Sequence, residues 1–561
     1  MDTNSFDAIV VGTGISGGWA AKELTEKGLK TLVLERGRMV RHPEYPTATK
    51  DPWDLPYGNR ITQEIRQRKP VQSRTGYPTP ANEHWFVNDI DHPYAEEQPF
   101  DWLRGYHVGG RSLMWARQSY RLSPMDFEAN AKEGVAIPWP VSYEEIAPWY
   151  DKVETFAGIS GSKEGLPQLP DGQYLPPHDL NCVEIEFQQR LQEKLGRKLI
   201  IGRCANLTAP LTHNESPQRG TCQARNLCIR GCPYGAYFSS VSATLPSAER
   251  TGNMTLKPDQ IVHEVIYDHE KGKATGVRVI DANTGQQTEY FAKVIFLNAS
   301  AIGSAYILLN SVSSRFPNGL GNDSGELGHN IMDHNKPGGS SAMVEGHLDE
   351  AYTGRRPNGF YIPRYRNVGK DKRDYLRGFG YQGRASRSNY GRFNSSTLIG
   401  EELKKALQEP GPWNIGMTAF GEILPYHENH VKLDRTRKDK YGLPTLIMNA
   451  VIRENETRMQ KDMREDAAEM LEAAGYKNVT VRDDNFHVGN SIHEMGTARM
   501  GKDPKKSVLN KFNQVHACKN VFVTDGSFMV SSACQNPSLT YMAFTARAVD
   551  HAVEELRKGN L

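Results

Sequence analysis

Residues 7–18 have the sequence DAIVVGTGISGG, in which a short β-branched apolar run leads into a glycine-rich turn. A helical pattern follows from Trp19 to Lys27, and a second apolar run over residues 30–34 ends at Glu35. A strand, a tight turn, a helix and a second strand in this order form the unit from which parallel sheets are built. The sequence therefore predicts an α/β fold whose first strand lies near the amino terminus.

Three glycines of this turn, Gly12, Gly14 and Gly17, have the spacing G-x-G-x-x-G of a dinucleotide-binding site. A tight turn, close approach of the backbone to a pyrophosphate and close helix–strand packing each exclude a side chain at one of them. Glu35 follows about twenty residues later, where a carboxylate can bind ribose hydroxyls. The pattern does not distinguish FAD from NAD, and a glycine-rich turn without function is the alternative. The terminal position, the long chain and matching motifs at the carboxyl end favour FAD.

Chain length, net charge and hydropathy limit the number of domains and argue against nucleic-acid binding and a membrane-spanning protein. A chain of 561 residues with 38% hydrophobic positions predicts two domains. A formal net charge of +2 gives no global field for nucleic acid or an anionic membrane. No apolar run approaches the roughly 18 residues of a membrane-spanning helix, and the mean hydropathy is −0.61. We therefore expect no nucleic-acid partner and no integral membrane protein.

Two segments near the carboxyl end resemble motifs of one enzyme family. Residues 491–501, SIHEMGTARMG, and residues 535–540, QNPSLT, are similar to the His and Asn motifs of the glucose–methanol–choline oxidoreductases. Residues 105–112, GYHVGGRS, resemble the second flavin loop of that family, and residues 525–527, DGS, its flavin-contacting turn. The four motifs and the glycine-rich turn together extend over almost the whole chain.

The resemblance implies a Rossmann-like FAD-binding domain with an antiparallel-sheet substrate domain, as in p-hydroxybenzoate hydroxylase. The expected FAD-binding domain covers residues 1–327, with a cysteine-bearing insertion near 205–240, and resumes at 485–561. Residues 328–484 alternate polar and apolar positions and are assigned to the substrate domain. The segment from Met39 to about Gln98 lacks periodicity and is predicted to be a long excursion over the surface, to which no function is assigned.

The family motifs place His493 above the flavin with Asn536 beside it. A neutral imidazole is a suitable base for the hydroxyl proton while a hydride leaves carbon for the flavin, and an amide can hold the same oxygen. The alternatives are a buried structural histidine and an asparagine that caps the helix after Pro537, and for Asn536 we expect both roles.

The same resemblance implies the residues that contact FAD. The family branch with a His and Asn pair often attaches flavin through a histidine of the second loop, but this chain has Met114 there, so we expect a non-covalent flavin. The implied FAD-binding residues are Gly12, Gly14, Ile15, Ser16, Gly17, Glu35, Arg36, Gly109, Gly110, Ser112, Met114, Val262, Ser300, Asp525, Asn536, Pro537 and Ser538.

Three of the seven cysteines, Cys222, Cys228 and Cys232, form a C-x5-C-x3-C pattern. Clustered thiolates suit zinc or iron–sulfur ligation. Structural zinc usually takes four protein ligands, and the segment holds no fourth Cys or His, so three thiolates favour an iron–sulfur cluster of the 3Fe–4S type. The spacing resembles the cluster loop of family members that relay electrons from flavin to a cytochrome. Three reduced structural thiols are the alternative.

The resemblance implies a dehydrogenase similar to bacterial glucoside 3-dehydrogenase catalytic subunits, which would oxidise a secondary hydroxyl of a pyranose or glycoside, at C3, to a ketone. A gluconate-type enzyme, an oxygen-using oxidase and a flavin electron-relay subunit without sugar turnover are the alternatives. The resemblance implies a small partner subunit with a twin-arginine signal and a cytochrome c-type acceptor. Residues 1–6 show no export signal. We therefore expect the partner subunit to carry the folded catalytic chain to the periplasm, and the alternative location is the cytoplasm. The arginine- and tyrosine-rich stretch 352–392 is a substrate lid or a solvated face.

Overall fold

The computed structural model describes residues 4–212, 219–350, 358–388, 393 and 396–561. In these ranges the helices are α1 (Ile15–Glu26), α2 (Gln63–Arg68), α3 (Pro70–Arg74), α4 (Pro124–Glu133), α5 (Tyr143–Ala157), α6 (Cys182–Leu195), α7 (Thr244–Arg250), α8 (Ala301–Asn310), α9 (Gly400–Gln408), α10 (Glu454–Ala473) and α11 (Ser538–Arg557). None of them has a stretch long and apolar enough to cross a lipid bilayer.

The strands form three sheets. In chain order they are β1 (Ser5–Val11), β2 (Thr31–Leu34), β3 (Ala95–Glu96), β4 (Ile200–Ile201), β5 (Met254–Lys257), β6 (Gln260–Asp268), β7 (Lys273–Asp281), β8 (Gln287–Leu297), β9 (His334–Asn335), β10 (Gly338–Val344), β11 (Phe360–Ile362), β12 (Phe379–Arg387), β13 (Trp413–Glu422), β14 (His430–Lys438), β15 (Pro444–Asn449), β16 (Lys477–Asp483), β17 (Gln514–Val515) and β18 (Cys518–Val523).

The first sheet has the order β17-β18-β8-β1-β2-β5, with β6 and β7 joined at β8. Strand β1 pairs in parallel with β2 on one side and with β8 on the other. Strand β18 pairs in parallel with β8, so a segment from the carboxyl end completes the sheet that the amino terminus begins. This arrangement confirms the predicted α/β class. The carboxyl ends of β1, β2, β8 and β18 meet at one edge, where ligands of such sheets bind.

Two glycines let α1 pack against this sheet. Gly12 has φ +96°, and a side chain there would place its Cβ 2.4 Å from the Asn298 carbonyl oxygen. A Cβ on Gly17 would come within 2.0 Å of the carbonyl oxygen of Gly12. Both contacts are with backbone that has no room to shift, so only glycine allows the turn and the helix to fit together.

The second sheet is antiparallel, with the order β16-β10-β13-β12-β11-β4 and β9 paired to β13. Helix α10 covers one face through Met459, Met463, Ala467, Met470 and Leu471, which recur at helical spacing and are buried. This sheet confirms the predicted substrate-side architecture. Strand β4 and helix α6 lie in segment 1–327 but pack on the second sheet. Part of the segment assigned to the FAD-binding domain therefore contributes to the substrate-side sheet. The exact domain boundaries stay a prediction.

The segment from Met39 to Gln98 differs from the expected surface excursion. It contains α2, α3 and β3, and Trp85 within it is 1% exposed. Strand β3 pairs with β15 in the third sheet, which also contains β14. The segment lacks periodicity because its apolar side chains pack singly against several elements instead of forming one helix face or strand face. Part of the segment, including Trp85, lines the cavity described next.

Candidate active site

A cavity of about 590 Å³ lies where the carboxyl edge of the first sheet faces the second sheet. Most of the predicted FAD residues line it: Gly12, Gly14, Ile15, Ser16, Glu35, Arg36, Gly110, Ser112, Met114, Val262, Ser300, Asp525, Asn536, Pro537 and Ser538. Gly17 and Gly109 do not line it. Gly17 serves helix packing, and Gly109, with φ +90°, donates its N–H to the Thr13 hydroxyl over 2.9 Å.

The cavity has the features that a dinucleotide needs. A Cβ built on Gly14 meets no atom of the described chain within 4 Å, so the backbone there is open to a ligand. Arg36 Nε and the Tyr541 hydroxyl are buried polar atoms at the cavity without a hydrogen-bond partner in the described residues. Helix α11 points its amino-terminal end into the cavity through Pro537 and Ser538, which favours negative charge there. The residues present therefore fit FAD.

Glu35 is held in place by the glycine-rich turn. Its Oε2 accepts hydrogen bonds from the Thr13 hydroxyl at 2.5 Å and the Thr13 N–H at 3.1 Å, and its Oε1 accepts the Gly37 N–H at 3.0 Å. Burial raises the pKa of this carboxyl, and these three donors oppose that rise. The carboxylate lines the cavity with defined orientation, as the predicted ribose contact requires.

The two predicted catalytic residues lie side by side. His493 Nε2 and Asn536 Nδ2 are 3.4 Å apart, and both residues line the cavity. Protein encloses the imidazole apart from its cavity face, and this burial, with His334, Arg111 and Lys336 nearby, sets the pKa of His493 well below its usual value of 6.5. Asn536 uses its side chain for Gln382 and His493, and no side chain caps α11 among the described residues. The expected capping role of Asn536 was therefore wrong.

A buried carboxylate fixes the loop that carries His493. Asp333 Oδ2 accepts the N–H groups of Gly489 at 2.8 Å and Ser491 at 3.1 Å, and its Oδ1 accepts the N–H of His493 at 3.1 Å. Burial, followed by the nearby Glu494 carboxylate, raises the pKa of Asp333 to about 7. Three backbone donors in one loop leave that loop little freedom, so the position of the imidazole is set by a residue about 160 positions away.

The sequence analysis did not identify several residues at the cavity. Thr13 lies inside the glycine pattern but carries the hydrogen bonds to Glu35 and Gly109. Arg111 pairs with Glu494 at 2.5 Å and donates to the Ile492 carbonyl at 3.2 Å, joining the second flavin loop to the His493 loop. Gln382 comes from β12 of the second sheet. Thr13 and Arg111 both stand within quoted motifs that could have identified them, whereas Gln382 lies outside every motif.

Two family models match the chain. A model described as GMC oxidoreductase, amino-terminal part, matches residues 6–336, and its carboxyl-terminal counterpart matches residues 425–545.

The chain belongs to the GMC oxidoreductase family.

Relatives along the whole length are consistent with this membership. A 2-methyl-1,2-propanediol dehydrogenase of Mycolicibacterium austroafricanum is 30% identical over 97% of this chain and 94% of its own. The fructose dehydrogenase large subunit of Gluconobacter japonicus is 26% identical over 100% of this chain and 99% of its own. The formate oxidase of Aspergillus oryzae, at 15% identity, shares the GMC fold with a TM-score of 0.63 over 100% of both chains. This GMC oxidoreductase is an FAD-dependent enzyme that acts on CH–OH donors.

The predicted metal-binding cysteines surround a second, smaller cavity of about 30 Å³. Cys222, Cys228 and Cys232 all line it and are partly exposed, and the described residues contain no group of three His, Cys, Asp or Glu arranged around one metal ion. The pKa of Cys222 is raised overall: burial and the two other cysteines raise it, and the backbone at Ala224 and the Arg117 guanidinium oppose that rise.

Residues 213–218 of the predicted insertion, and 352–357, 389–392 and 394–395 in and beside the lid stretch, lie outside the described residues.

Replacing Gly14 with alanine tests the nucleotide cradle. Gly14 has φ −63°, which alanine adopts freely, and the new methyl group contacts no protein atom. We expect apoprotein with unchanged thermal unfolding, but FAD affinity reduced by about tenfold or more, because the methyl group occupies the space of the ligand. Flavin absorbance per protein after desalting measures the affinity loss. A G14A protein with wild-type flavin content contradicts the assignment.

Proposed function

We propose that this GMC oxidoreductase is a dehydrogenase that oxidises a secondary hydroxyl of a pyranose or glycoside, at C3, to a ketone. The observation that carries the proposal is the pair of His493 Nε2 and Asn536 Nδ2, 3.4 Å apart on the wall of the cavity that fits FAD. When bound, FAD supplies an acceptor for the hydride that leaves the carbinol carbon.

His493 and Asn536 act on the same substrate oxygen in this proposal. The amide donates a hydrogen bond that orients the hydroxyl, and His493 Nε2 receives the hydroxyl proton as the carbon–oxygen double bond forms. The lowered pKa of His493 keeps its imidazole neutral at pH 7, with a lone pair for that proton. Because the loop around the ring is anchored by Asp333, the base is held ready before substrate arrives.

A group of polar residues on the cavity wall supports a sugar as the substrate class. Asn358, Gln382 and Arg384 project from the second sheet and the segment before it, with Gln118 and Lys336 completing this wall. Asn358 Nδ2 is buried without a hydrogen-bond partner in the described residues, and a substrate hydroxyl would satisfy it. Two relatives have names that state carbohydrate substrates, fructose dehydrogenase and paromamine 6'-oxidase. The 2-methyl-1,2-propanediol dehydrogenase favours a small diol as the second candidate.

His493→Ala should separate binding from chemistry. We expect bound FAD to remain, while the rate of flavin bleaching by methyl glucoside under anaerobic conditions falls at least about a hundredfold, the usual contribution of a general base. Stopped-flow absorbance measures the rate against a panel of methyl glucoside, fructose, gluconate and 2-methyl-1,2-propanediol. His516→Ala, a half-buried histidine bonded to Ser507, is the control. Unchanged bleaching in the H493A protein would favour a base other than His493, and no bleaching of the wild-type flavin by any compound would favour an electron-relay subunit.

The pH dependence follows from the direction of the His493 pKa shift. The imidazole must be neutral to accept a proton, and its pKa lies well below 6.5, so the active form is fully present above that value. We expect the rate of flavin reduction at saturating substrate to stay constant as pH falls from 8 through about 6.5 and to decline only in more acidic buffer. A decline centred at 6.5 or above, measured by stopped flow, would contradict a buried neutral base.

We also propose that Cys222, Cys228 and Cys232 hold a 3Fe–4S cluster that passes electrons singly to a cytochrome c-type acceptor. Cys222, Cys228 and Cys232 line one small cavity, so their three thiols would hold such a cluster there, and it would supply one-electron transfer. The cysteine loop also borders the flavin cavity. Ile229, next to Cys228, lines that cavity, and Trp85 donates its indole N–H to the Ile229 carbonyl over 3.2 Å.

Cys222→Ser tests the cluster. In anaerobically prepared wild-type protein we expect roughly three irons per FAD, and in the C222S protein loss of iron with FAD retained. Substrate should still bleach the variant flavin, while reduction of an added cytochrome c falls severely. Iron analysis, absorbance and a cytochrome assay measure these quantities, and Cys182→Ser, outside the loop, is the control. An iron-free wild type that bleaches and forms hydrogen peroxide steadily in air would instead be an oxidase with structural cysteines.

The partner and location remain part of the proposal. We infer a small subunit with a twin-arginine signal that carries the folded catalytic chain to the periplasm. The name of the Gluconobacter relative, a large subunit, supports a subunit partnership. Fractionation of cells that express both subunits tests it, since a chain that stays in the cytoplasm beside its partner would exclude co-export.

A further inference from the structure

A buried histidine outside every sequence motif contacts the proposed base. His334, on β9, is 0% exposed, and its Nδ1 lies 2.9 Å from Nδ1 of His493, with the two rings edge to face at 74°. The other nitrogen of His334, Nε2, lies 3.4 Å from the carbonyl oxygen of Ser532. Two imidazole nitrogens at 2.9 Å share one proton, so one ring donates and the other accepts.

The carbonyl of Ser532 decides which ring donates. A carbonyl oxygen only accepts, so His334 Nε2 carries a proton toward it. Burial sets the pKa of His334 at about 4, so the ring is neutral and holds no second proton at pH 7. Its Nδ1 therefore presents a lone pair, and the shared proton belongs to Nδ1 of His493. A neutral His493 with its proton on Nδ1 has its lone pair on Nε2, the nitrogen that faces Asn536 and the cavity.

The same direction continues through Asn536. Because His493 Nε2 accepts, the Asn536 amide turns its N–H group to it, and the amide oxygen is left for another donor. Gln382 Nε2 lies 2.6 Å from that oxygen and satisfies it. Every hydrogen bond in this chain therefore runs in one direction. Gln382 donates to Asn536, Asn536 to His493, His493 to His334, and His334 to the Ser532 carbonyl. The opposite tautomer of His493 would bring two lone pairs together at 2.9 Å inside the protein, which is unfavourable.

We propose that His334 is a positioning residue that fixes the tautomer of His493, so that the lone pair lies on Nε2, where Asn536 donates to it without substrate and the substrate hydroxyl can reach it. Gln382 does the same for the Asn536 amide, and the acceptor-only Ser532 carbonyl sets the direction of the whole chain. This inference rests on the proposed role of His493 as the base. A ring nitrogen's protonation is set by the hydrogen bond that the other nitrogen makes, and loss of an orienting acceptor elsewhere lowers turnover through the wrong tautomer.

Histidine tautomers in the FAD-loaded enzyme test the inference without any substrate. Long-range ¹H–¹⁵N correlation spectra of ¹⁵N-histidine-labelled protein distinguish Nδ1–H from Nε2–H rings, and single-histidine variants assign the signals. We expect His493 as the Nδ1–H form and His334 as the Nε2–H form. His493 as the Nε2–H form, or as an averaging mixture, overturns the proposal whatever the substrate proves to be.

Flavin reduction by methyl glucoside supplies the kinetic test. His334→Asn keeps an amide oxygen near the position of Nδ1, whereas His334→Leu keeps bulk without an acceptor. At saturating substrate and equal flavin content we expect the H334L protein to be about tenfold to a hundredfold slower than wild type, the H334N protein within about threefold, and substrate affinity unchanged in both. Equal rates for the two variants, or a wild-type rate for H334L, overturn the proposal. His516→Leu is the control for loss of a histidine elsewhere.

Two further outcomes are informative. If H334L fails to retain FAD, His334→Gln replaces it, because its amide lies near Nε2 and Ser532 and leaves His493 without an acceptor. H334Q slower than H334N by about tenfold supports the proposal, and the reverse order overturns it. If methyl glucoside does not bleach the wild-type flavin, the proposed substrate is wrong, and the tautomer spectra alone decide the role of His334.

Discussion

The hydroxyl of Thr13 joins the three segments on which the flavin cavity depends. It donates to Glu35 Oε2 at 2.5 Å and accepts the N–H of Gly109 at 2.9 Å. The first bond fixes the end of β2 against the glycine-rich turn, and the second fixes the second flavin loop, 96 positions along the chain. With Gly109 held, a Cβ on neighbouring Gly110 would lie 3.4 Å from the Gly14 Cα, so the two loops form one continuous wall. Each contact is buried and its partners are backbone or carboxylate groups, so a lost donor leaves an unsatisfied buried group.

The electrostatics of the catalytic region are set by burial. Asp333 and Glu494 are both fully enclosed carboxylates near His493, and Arg111 offsets them through its pair with Glu494. Burial raises the pKa of Asp333 and lowers the pKa of His493, so both groups are biased toward their neutral forms. The base is thus neutral, and the nearby carboxylates are offset by Arg111 or biased toward their neutral form. This suits a reaction in which one alcohol loses a proton and a hydride. The same enclosure strengthens the hydrogen bonds between Gln382 and Ser532 relative to water.

Local patterns were sufficient to predict the main elements of fold and site. The glycine spacing before a helix identified the first sheet, and residues 491–501 and 535–540 identified His493 and Asn536, which the structure brings within hydrogen-bond distance. What was missed has a common cause. Trp85, Gln382 and His334 lie in segments without a short motif, and each reaches the cavity or the base only because distant strands are packed together. The capping role expected of Asn536 failed for the same reason, since a cross-sheet partner competed for its amide.

The sequence by itself determined the α/β class, the dinucleotide turn, the family and the pair of residues proposed for catalysis, because those depend on short spacings whose geometry is local. Only the tertiary structure decided how these parts are oriented: that Asp333 anchors the His493 loop, that Gln382 of the second sheet holds Asn536, and that the Ser532 carbonyl lies behind His334. Hydrogen-bond direction depends on which donor faces which acceptor. That arrangement exists only after segments as far apart as 198 positions have been packed against one another.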